Sequence, residues 1–338
     1  MNVLVTGGAG YIGAHCCQEL AARGFRPVVF DNLSTGHREF VRWGEFCEGD
    51  IRDADRLDAV CARFRIEAVL HFAAFIEVGE SVADPLKYYA NNVAGSLELL
   101  GAVARRGIRP IVFSSSAAVY GEPRQVPVDE THATHPLSPY GRTKRMVETI
   151  LADCEQTGGL RWVALRYFNA AGAGAGAQIG EWHDPESHLI PRVLNAARDG
   201  GGPVQVYGTD YPTPDGSCIR DYIHGADLAR GHVLALEALL AGKPCGAFNL
   251  GQGKGYSVLE VIRQAERVTG QRLRVENGPR RPGDPPVLIA SNQKAREMLG
   301  WVPMESGLED IIASAWEWHC KMKESVNGAR HTAHGQAE

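Results

Sequence analysis

The amino-acid sequence of 338 residues predicts an α/β protein with a doubly wound parallel sheet and a smaller mixed α/β lobe. Short β-branched runs alternate with amphipathic helical stretches, a glycine-rich turn follows the first run, and the pattern becomes irregular after Asn169. Such alternation with nearly continuous apolar strands is typical of a parallel sheet covered on both faces. We therefore expect a sheet domain over residues 1–169, a second lobe over 170–324 and a disordered tail over 325–338.

The first half of the chain predicts strands and helices in alternation. The predicted strands are NVLVT (2–6), PVVFD (27–31), EAVLHF (67–72), RPIVFSS (109–115) and RWVALRYF (161–168), with helices near 11–23, 53–64, 84–106 and 139–157.

The second half predicts fewer regular elements. We expect a helix near 225–241, a strand near AFNL (247–250) that returns to the main sheet, and a helix that begins at Ser257 with a capping box to Glu260. The glycine- and alanine-rich run from Ala170 fits either a flexible linker or a loop packed against a ligand. The polar, aperiodic tail from Ser325 predicts disorder.

Composition argues against several classes of protein. The net charge of −5 gives no basic footprint for nucleic acid, and the apolar runs are too short and interrupted to span a membrane. The N-terminus shows no signal-peptide pattern. Eight scattered cysteines without a CxxC pair are typical of reduced, buried thiols in a cytoplasmic protein, and the twelve histidines show no zinc-type pairing with cysteine. We expect a cytoplasmic location and no metal site.

The stretch VLVTGGAGYIG predicts a dinucleotide site. Gly8, Gly10 and Gly13 fit GxGxxG, and Gly7, Gly10 and Gly13 fit GxxGxxG. Between a strand and a helix, such glycines allow a tight turn and let backbone N–H groups approach a pyrophosphate. Asp31 ends the second strand, where a carboxylate binds the adenine-ribose hydroxyls and repels a 2′-phosphate. This predicts NAD rather than NADP; the alternative is that Asp31 only caps a strand before the turn NLSTG.

The stretch SPYGRTK (138–144) predicts a general base. Tyr140 and Lys144 are neighbours on one helix face, and a cation beside a phenol lowers its pKa from about 10. Ser116 follows a strand at the carboxyl edge of the sheet, where ligands bind. Beside a nicotinamide, Tyr140 would take a proton from a substrate hydroxyl, and Lys144 would keep Tyr140 partly in its phenolate form. Ser116 would donate a hydrogen bond to the reacting oxygen. The alternative is a surface tyrosine beside a solvated lysine.

Six segments together resemble the extended short-chain dehydrogenase/reductases over roughly residues 1–320. They are TGGAGYIG, HFAAFIEVGES, FSSSAAVYG, SPYGRTK, RYFNAAG and IRDYIH, in this order. Within the family they are similar to the epimerases that act on UDP-sugars, and DNLSTGHREFVRWG and IGEWHDPESHLIP are similar to their rhizobial exopolysaccharide type. The resemblance implies that hydride passes from C4 of UDP-glucose or UDP-galactose to tightly bound NAD and returns to the opposite face of a 4-keto sugar. It also implies a homodimer formed through helices 84–106 and 139–157.

The resemblance also assigns binding residues. Arg220 and Arg281 offer guanidinium groups suited to phosphate oxygens. His188 stands where members of the family often carry Asn, and Ile76 stands where some carry a lysine that binds the cofactor. The implied cofactor-binding residues are Gly7, Gly10, Tyr11, Ile12, Gly13, Asp31, Asn32, Ser34, Asp50, Ile51, Phe72, Ala73, Ala74, Asn91, Ser114, Tyr140, Lys144 and Tyr167. The implied substrate-binding residues are Ser116, Tyr140, Asn169, His188, Leu189, Arg220, Tyr222, Arg281, Asp284 and Leu288.

Other functions fit the sequence less well. A dehydratase or decarboxylase of the same superfamily would carry acidic or hydroxyl residues after the serines, where Ala117 and Ala118 stand. A non-catalytic NAD-binding sensor would typically lack Tyr140 or Lys144. The resemblance places Leu288 near the sugar 2-substituent, where a large tyrosine excludes N-acetyl groups and a small residue admits them. The choice among UDP-glucose/galactose, N-acetylated and UDP-xylose/arabinose substrates therefore stays open.

Overall fold

The computed structural model describes residues 1–200, 202–243, 246–281 and 283–334, with side chains up to residue 322. The strands are β1 (Asn2–Thr6), β2 (Arg26–Asp31), β3 (Glu45–Glu48), β4 (Ala68–His71), β5 (Pro110–Ser114), β6 (Arg161–Tyr167), β7 (Asn169–Ala171), β8 (Val204–Tyr207), β9 (Ile219–Arg220), β10 (Tyr222–His224), β11 (Gly246–Leu250), β12 (Tyr256–Ser257), β13 (Val275–Gly278) and β14 (Val287–Leu288). The α-helices are α1 (Tyr11–Ala22), α2 (Ala54–Phe64), α3 (Val78–Ala83), α4 (Pro85–Tyr88), α5 (Gly95–Arg105), α6 (Pro139–Gln156), α7 (Leu189–Asp199), α8 (Gly225–Leu240), α9 (Val258–Thr269), α10 (Gln293–Leu299) and α11 (Leu308–His334).

The main sheet has seven parallel strands in the order β11-β6-β5-β4-β1-β2-β3. Because side chains alternate along a strand, Val3 and Val5 of β1 face one side of the sheet and Leu4 faces the other. Val3 and Val5 pack in one buried cluster with residues of α1 and α8, and Leu4 packs in a second with residues of α2 and α5. The doubly wound arrangement predicted from the sequence is therefore confirmed.

The predicted strands and the returning strand β11 are present with ends within two residues of expectation, and Ser257 and Glu260 form the predicted capping box. The structure adds β3, whose sequence EFCE buries only Cys47 at the edge of the sheet. The single helix predicted over 84–106 is instead α4, a π-helical turn at Tyr89–Ala94 and α5. The turn buries the polar side chains of Asn91 and Asn92, which a regular amphipathic pattern does not predict.

The second lobe forms its own buried cluster from α7, α9 and α11 with strands β8 and β10. Its small sheets are β10-β7, β12-β9-β14 and β13-β8. Helix α8 packs on the main sheet and β11 forms one edge of it, although both follow residue 169 in the chain. The domain boundary at residue 169 stays a prediction. The run after Ala170 is a packed loop rather than a linker, because Ala173, Ala177 and Ile179 are buried against α1.

The C-terminal helix α11 continues to His334, into the stretch that the sequence predicts to be disordered from Ser325. Residues 335–338 of that stretch lie outside the described part of the chain.

Seven cysteines in the described ranges are free thiols, and Cys245 lies outside these ranges. None of the helices described has both the length and the apolar character needed to cross a bilayer.

Candidate active site

The glycine-rich turn after β1 is packed so tightly that two of its glycines admit no side chain. Gly7 has φ of +73°, and a Cβ there would lie 2.6 Å from the Ala73 nitrogen. A Cβ on Gly13 would overlap the Gly7 carbonyl oxygen. Since the Ala73 amide also donates to the Thr6 carbonyl, the end of β4 is held against the turn.

The amino end of α1 has the features of an anion site. Gly10 is the N-cap residue, no side chain caps the helix, and the first turn carries no acidic residue. A Cβ on Gly10 would meet only the Gly7 carbonyl oxygen, at 3.3 Å. The Tyr11 hydroxyl donates to the Gly172 carbonyl at 2.6 Å, and Ile12 packs against the buried core. The first helical N–H groups are thus the part of this segment suited to a pyrophosphate.

Asp31 lies at the carboxyl end of β2, beside the glycine turn. Its carboxylate accepts hydrogen bonds from the Ala9 amide at 3.0 Å and the Leu33 amide at 2.9 Å. Burial raises the pKa of Asp31, although these two bonds oppose the shift. A carboxylate offers about four acceptor positions, so Asp31 retains the capacity to accept ribose hydroxyls.

Next to Asp31, four further candidate residues lie together. The Asn32 side-chain amide donates to Asp50 at 2.9 Å, and the Ser34 backbone amide donates to the Asn32 side chain at 3.0 Å. The Arg52 guanidinium, 2.7 Å from Asp50, holds the pKa of that carboxyl well below its usual range. Ile51 is buried against the start of α5.

The segment that follows β4 also packs against the glycine-rich turn after β1. Phe72 packs against the buried His232 ring, with 4.8 Å between the ring centres, and Ala74 is half-buried. The Asn92 side chain accepts from the Phe75 amide at 2.9 Å and donates to its carbonyl at 3.0 Å. Asn91, buried in the π-helical turn, donates to the Asn92 side chain. Ile76, which stands where the resemblance implies a cofactor-binding lysine in some members of the family, is exposed.

The structure brings Ser116 and Tyr140 together. Ser116 follows β5 and caps a short 3₁₀ helix, Ala117–Val119, by accepting from the Ala118 amide at 3.1 Å. Ser138 caps α6, which places Tyr140 in the first turn of that helix. The Ser116 hydroxyl is near enough to the Tyr140 phenol to oppose the rise in the pKa of Tyr140.

Lys144 lies one turn further along α6, with its side chain buried. Its ammonium donates to the Ser114 carbonyl oxygen at 2.7 Å and lies 5.8 Å from the centre of the Tyr140 ring. The Ser114 hydroxyl forms a 2.7 Å hydrogen bond with the Tyr167 hydroxyl. Five candidate residues from β5, α6 and β6 therefore meet at the carboxyl edge of the sheet: Ser114, Ser116, Tyr140, Lys144 and Tyr167.

The pKa values in this group correct the expectation that Lys144 lowers the pKa of Tyr140. Burial raises the pKa of Tyr140, and the nearby Ser116 hydroxyl opposes the shift without reversing it. Burial also lowers the pKa of Lys144 to about 7, against the opposing charge of Glu148. In the protein alone, Lys144 does not bring the pKa of Tyr140 below its ordinary value, because desolvation disfavours the charged form of both groups.

The substrate candidates of β7 and β10 lie in paired strands. Asn169 and Tyr222 are register partners, and the Asn169 side chain donates to the Asp221 carbonyl at 2.8 Å. Tyr222 is buried in the core of the second lobe. Asp221, which the sequence analysis missed, is fully buried and accepts backbone hydrogen bonds from Gln252, Gly253 and Ala290.

Arg220, Asp284 and Leu288 form a second group. The Arg220 guanidinium lies 3.2 Å from an Asp284 carboxylate oxygen and donates to the Pro285 carbonyl at 2.9 Å. Leu288 of β14 is the register partner of Arg220 in β9. Leu288 also packs against the buried cluster that contains Ala117, one residue after Ser116. This contact connects the second lobe to the catalytic edge of the sheet.

Arg281 lies over the Tyr207 ring, with 4.1 Å between the guanidinium carbon and the ring centre. A hydrogen bond from Arg281 lowers the pKa of Tyr207, and the positive charge of Arg192 adds to the effect. Arg192, on α7, is a basic residue that the sequence analysis did not select.

His188 is the N-cap residue of α7, directly before Leu189, which packs against the second-lobe core. Its Nδ1 atom lies 2.9 Å from Glu181 and 3.0 Å from Glu186. The two carboxylates raise the pKa of His188 to about 11. An acidic setting around His188 was not expected.

A buried ion pair behind the catalytic edge was also missed. Arg166 binds Glu148 through two hydrogen bonds of 2.9 and 2.6 Å, and the Ser115 hydroxyl donates to Glu148 at 2.6 Å. Two features of the sequence could have predicted this pair: an arginine inside the apolar run RWVALRYF, and a glutamate four residues after Lys144. This pair fixes the backbone on which Ser114 and Ser116 stand.

Comparisons with known proteins agree with this geometry. Residues 3–251 match the NAD dependent epimerase/dehydratase family. The chain is 56% identical to the UDP-glucose 4-epimerase of Rhizobium leguminosarum bv. trifolii over 320 residues, which covers 95% of this chain and 98% of that protein.

Two solved structures are similar over nearly the whole chain. One is UDP-glucose 4-epimerase from Brucella ovis in complex with NAD, with 51% identity, a TM-score of 0.91 and coverage of 93% of this chain and 97% of that one. The other, from Stenotrophomonas maltophila, has bound NAD and formylated UDP-arabinopyranose, with 45% identity, a TM-score of 0.93 and coverage of 96% and 99%. The family expected from the sequence motifs is confirmed: this chain belongs to the NAD dependent epimerase/dehydratase family.

Proposed function

We propose that this protein inverts C4 of UDP-glucose and UDP-galactose with NAD as a resident cofactor, in the cytoplasm. The observation that carries the proposal is the convergence of Ser116 after β5 and Tyr140 in the first turn of α6 beside the buried ammonium of Lys144. These groups stand at the carboxyl edge of the sheet that also carries the glycine-rich turn. The relatives with full-length similarity, which include a complex with NAD, support the same assignment.

The residues of the first domain fit NAD. The glycine turn leaves the amino end of α1 open to a pyrophosphate, and Asp31 would accept the adenine-ribose hydroxyls. Lys144 and Tyr167, joined through Ser114, would contact the nicotinamide half. When bound, NAD accepts and returns a hydride, and its positive nicotinamide ring favours the phenolate form of Tyr140.

The chain itself moves one proton and orients one oxygen. Tyr140 takes the proton from the C4 hydroxyl as general base, and Ser116 donates a hydrogen bond to the same oxygen. The 4-keto sugar then turns about its link to the diphosphate, and Tyr140 returns the proton when the opposite face is reduced. Lys144 contributes positive charge beside the phenolate, which is worth more in a buried site than in water.

This reaction requires a firmly held UDP and a loosely held sugar. Arg220 and Arg281 would bind the diphosphate through charge-assisted hydrogen bonds, and Asp284 would accept from the uridine ribose. Asn169 and Leu189 would contact the diphosphate-sugar, while Leu288 walls the sugar pocket beside Ala117. His188, engaged with two carboxylates, would act on the substrate through its place at the start of α7.

A homodimer formed through helices 84–106 and 139–157 completes the proposal. Three large apolar side chains in these two segments are exposed: Leu86, Leu97 and Met146. Exposed apolar side chains grouped on neighbouring helices favour a protein–protein contact.

The test of this function is the conversion of UDP-galactose to UDP-glucose by purified protein without added NAD. We expect many turnovers per chain, because the cofactor is regenerated in each cycle. A requirement for added NAD with stoichiometric accumulation of NADH would identify a dehydrogenase instead. Bound NAD without any conversion would identify a sensor.

A further inference from the structure

The segment EWHDPESH, between the packed loop and α7, gathers four potential metal ligands. Among the side chains that the structure describes, Glu181, His183, Glu186 and His188 each offer one ligand atom, and all four atoms lie within 4.8 Å of one another. The four residues alternate imidazole and carboxylate around a common centre.

Contacts between neighbouring ligand groups have lengths close to those in a small tetrahedral site. His188 Nδ1 lies 2.9 Å from Glu181 Oε1 and 3.0 Å from Glu186 Oε1, and His183 Nδ1 lies 3.5 Å from Glu181 Oε1 and 3.5 Å from Glu186 Oε2. Zinc bonds of about 2.0–2.1 Å to nitrogen and oxygen give tetrahedron edges of about 3.3–3.4 Å. The observed spacings fall on both sides of that length, so small side-chain rotations would complete the site.

Burial and charge also favour a cation at this centre. Glu181 is only 7% exposed, and Glu186 stands beside it. The Nδ1 atom of His183 is buried, and at 3.5 Å from an oxygen of each carboxylate it makes no strong hydrogen bond. Metal binding would displace the proton of His188, and the two carboxylates and two neutral imidazoles then carry two negative charges, which one divalent cation neutralises.

We propose that Glu181, His183, Glu186 and His188 bind one divalent transition-metal ion of the Zn²⁺ class. Mixed imidazole and carboxylate ligands suit zinc, whereas calcium and magnesium prefer oxygen ligands alone. Four protein ligands leave no open position, so the ion has a structural role. This ExHxxExH pattern differs from the spacing of cysteine–histidine zinc sites and from HExxH.

The position of the site suggests what the ion would stabilise. His188 caps α7 directly before Leu189, a candidate substrate contact. Trp182, between two of the ligands, stacks on His37 with 3.8 Å between ring centres and 4° between planes. His37 belongs to the loop that follows Asp31. The ion would therefore hold together a segment that contacts both the cofactor loop and the start of α7.

The test uses full-length, tag-free holoenzyme freed of metal by a chelator and titrated with ZnCl₂ and CoCl₂. We expect one Zn²⁺ per chain and, with Co²⁺, the strong visible absorption of four-coordinate cobalt. His183→Gln should weaken Zn²⁺ binding at least about 10-fold and remove that absorption. His135→Gln, at an exposed histidine outside the cluster, is the matched control and should bind like the parent protein.

Should His183→Gln fail to fold, Glu186→Gln serves as the second variant with the same expectation. Absence of stoichiometric Zn²⁺ binding, or equal binding by the parent and both cluster variants, would overturn the proposal and leave the cluster as an ion-pair network. Metal content and the cobalt spectrum do not depend on epimerisation, so this test can fail while the proposed function holds.

Discussion

Lys144 donates a hydrogen bond of 2.7 Å from its buried ammonium to the carbonyl oxygen of Ser114, the last residue of β5. The bond fixes the cation at the edge of the sheet, 5.8 Å from the Tyr140 ring centre. In the proposed mechanism, Lys144 would act on the phenol through its electric field. Because burial opposes ionisation of both side chains, we expect the active state to depend on the bound cofactor as well.

Replacing Tyr140 by Phe should abolish the base and keep the ring. We expect normal NAD content and epimerisation slowed by at least about 100-fold, since proton transfer by a positioned side chain typically contributes that much. The measurement is the UDP-galactose conversion rate beside the NAD absorbance of the purified variant. Tyr88→Phe, which removes a hydroxyl that donates to Glu80 outside the site, is the control. A near-normal rate for Tyr140→Phe would refute its role as base.

The pKa of Lys144 predicts a pH-dependent effect on stability. In the folded protein that pKa is about 7 against an ordinary value of 10.5, so between these values the unfolded chain binds more protons than the folded one. The contribution of Lys144 to the free energy of unfolding therefore rises with pH across this window. Relative to the parent, Lys144→Met should gain most stability below pH 7 and lose that advantage as the pH approaches 10.5.

Denaturant unfolding of cofactor-free parent and variant, repeated across that pH window, measures this difference. Lys144→Met also loses the hydrogen bond to Ser114, which changes the free energy of unfolding by a similar amount at every pH. Only the change with pH in the difference between variant and parent therefore tests the lowered pKa. A difference that does not change with pH would contradict the lowered pKa.

Leu288 should control the size of the sugar 2-substituent. Leu288→Tyr fills the pocket beside Ala117 and should reduce turnover of N-acetylated UDP-hexoses at least about 10-fold more than turnover of UDP-galactose. Leu288→Ala should shift the ratio in the opposite direction. Both substrates are assayed with each variant, so a change in folding or NAD content cancels in the ratio. An equal loss on both substrates would place Leu288 outside the sugar pocket.

The proposed dimer predicts a selective effect of surface charge. Leu97 of α5 is 48% exposed and Leu240 of α8 is 45% exposed, so the two form a matched pair. Leu97→Asp should convert a dimer to a monomer because it buries an unpaired charge at the contact, whereas Leu240→Asp should leave the dimer intact. Light scattering with size-exclusion chromatography measures the mass. A monomeric parent protein, or a dimer in both variants, would exclude this contact.

The sequence predicts the sheet well because its signals are local. Apolar runs define β1, β2 and β4 to β6, and the glycine turn and the Tyr140–Lys144 spacing each lie within a few residues of chain. Strand β3 escapes prediction because an edge strand of four residues with charged ends shows neither alternation nor a long apolar run. The π-helical turn at Tyr89–Ala94 escapes because its asparagines are buried by partners far along the chain.

The site is predicted less completely than the sheet, for the same physical reason. The pKa of Tyr140 depends on burial by several elements, and the Glu148–Arg166 pair joins α6 to β6. Neither is visible in a short segment of sequence. The cluster from Glu181 to His188 is local in sequence, yet its convergence depends on how the loop folds before α7.

In the proposed mechanism, C4 of the substrate is oxidised and reduced within one bound complex. The fate of the hydrogen at C4 tests this directly: UDP-galactose deuterated at C4 is incubated with the protein in ordinary water, without added NAD. We expect UDP-glucose that retains deuterium at C4. Product that has exchanged this deuterium for solvent hydrogen would contradict hydride transfer and, with it, the proposed roles of Ser116, Tyr140 and Lys144.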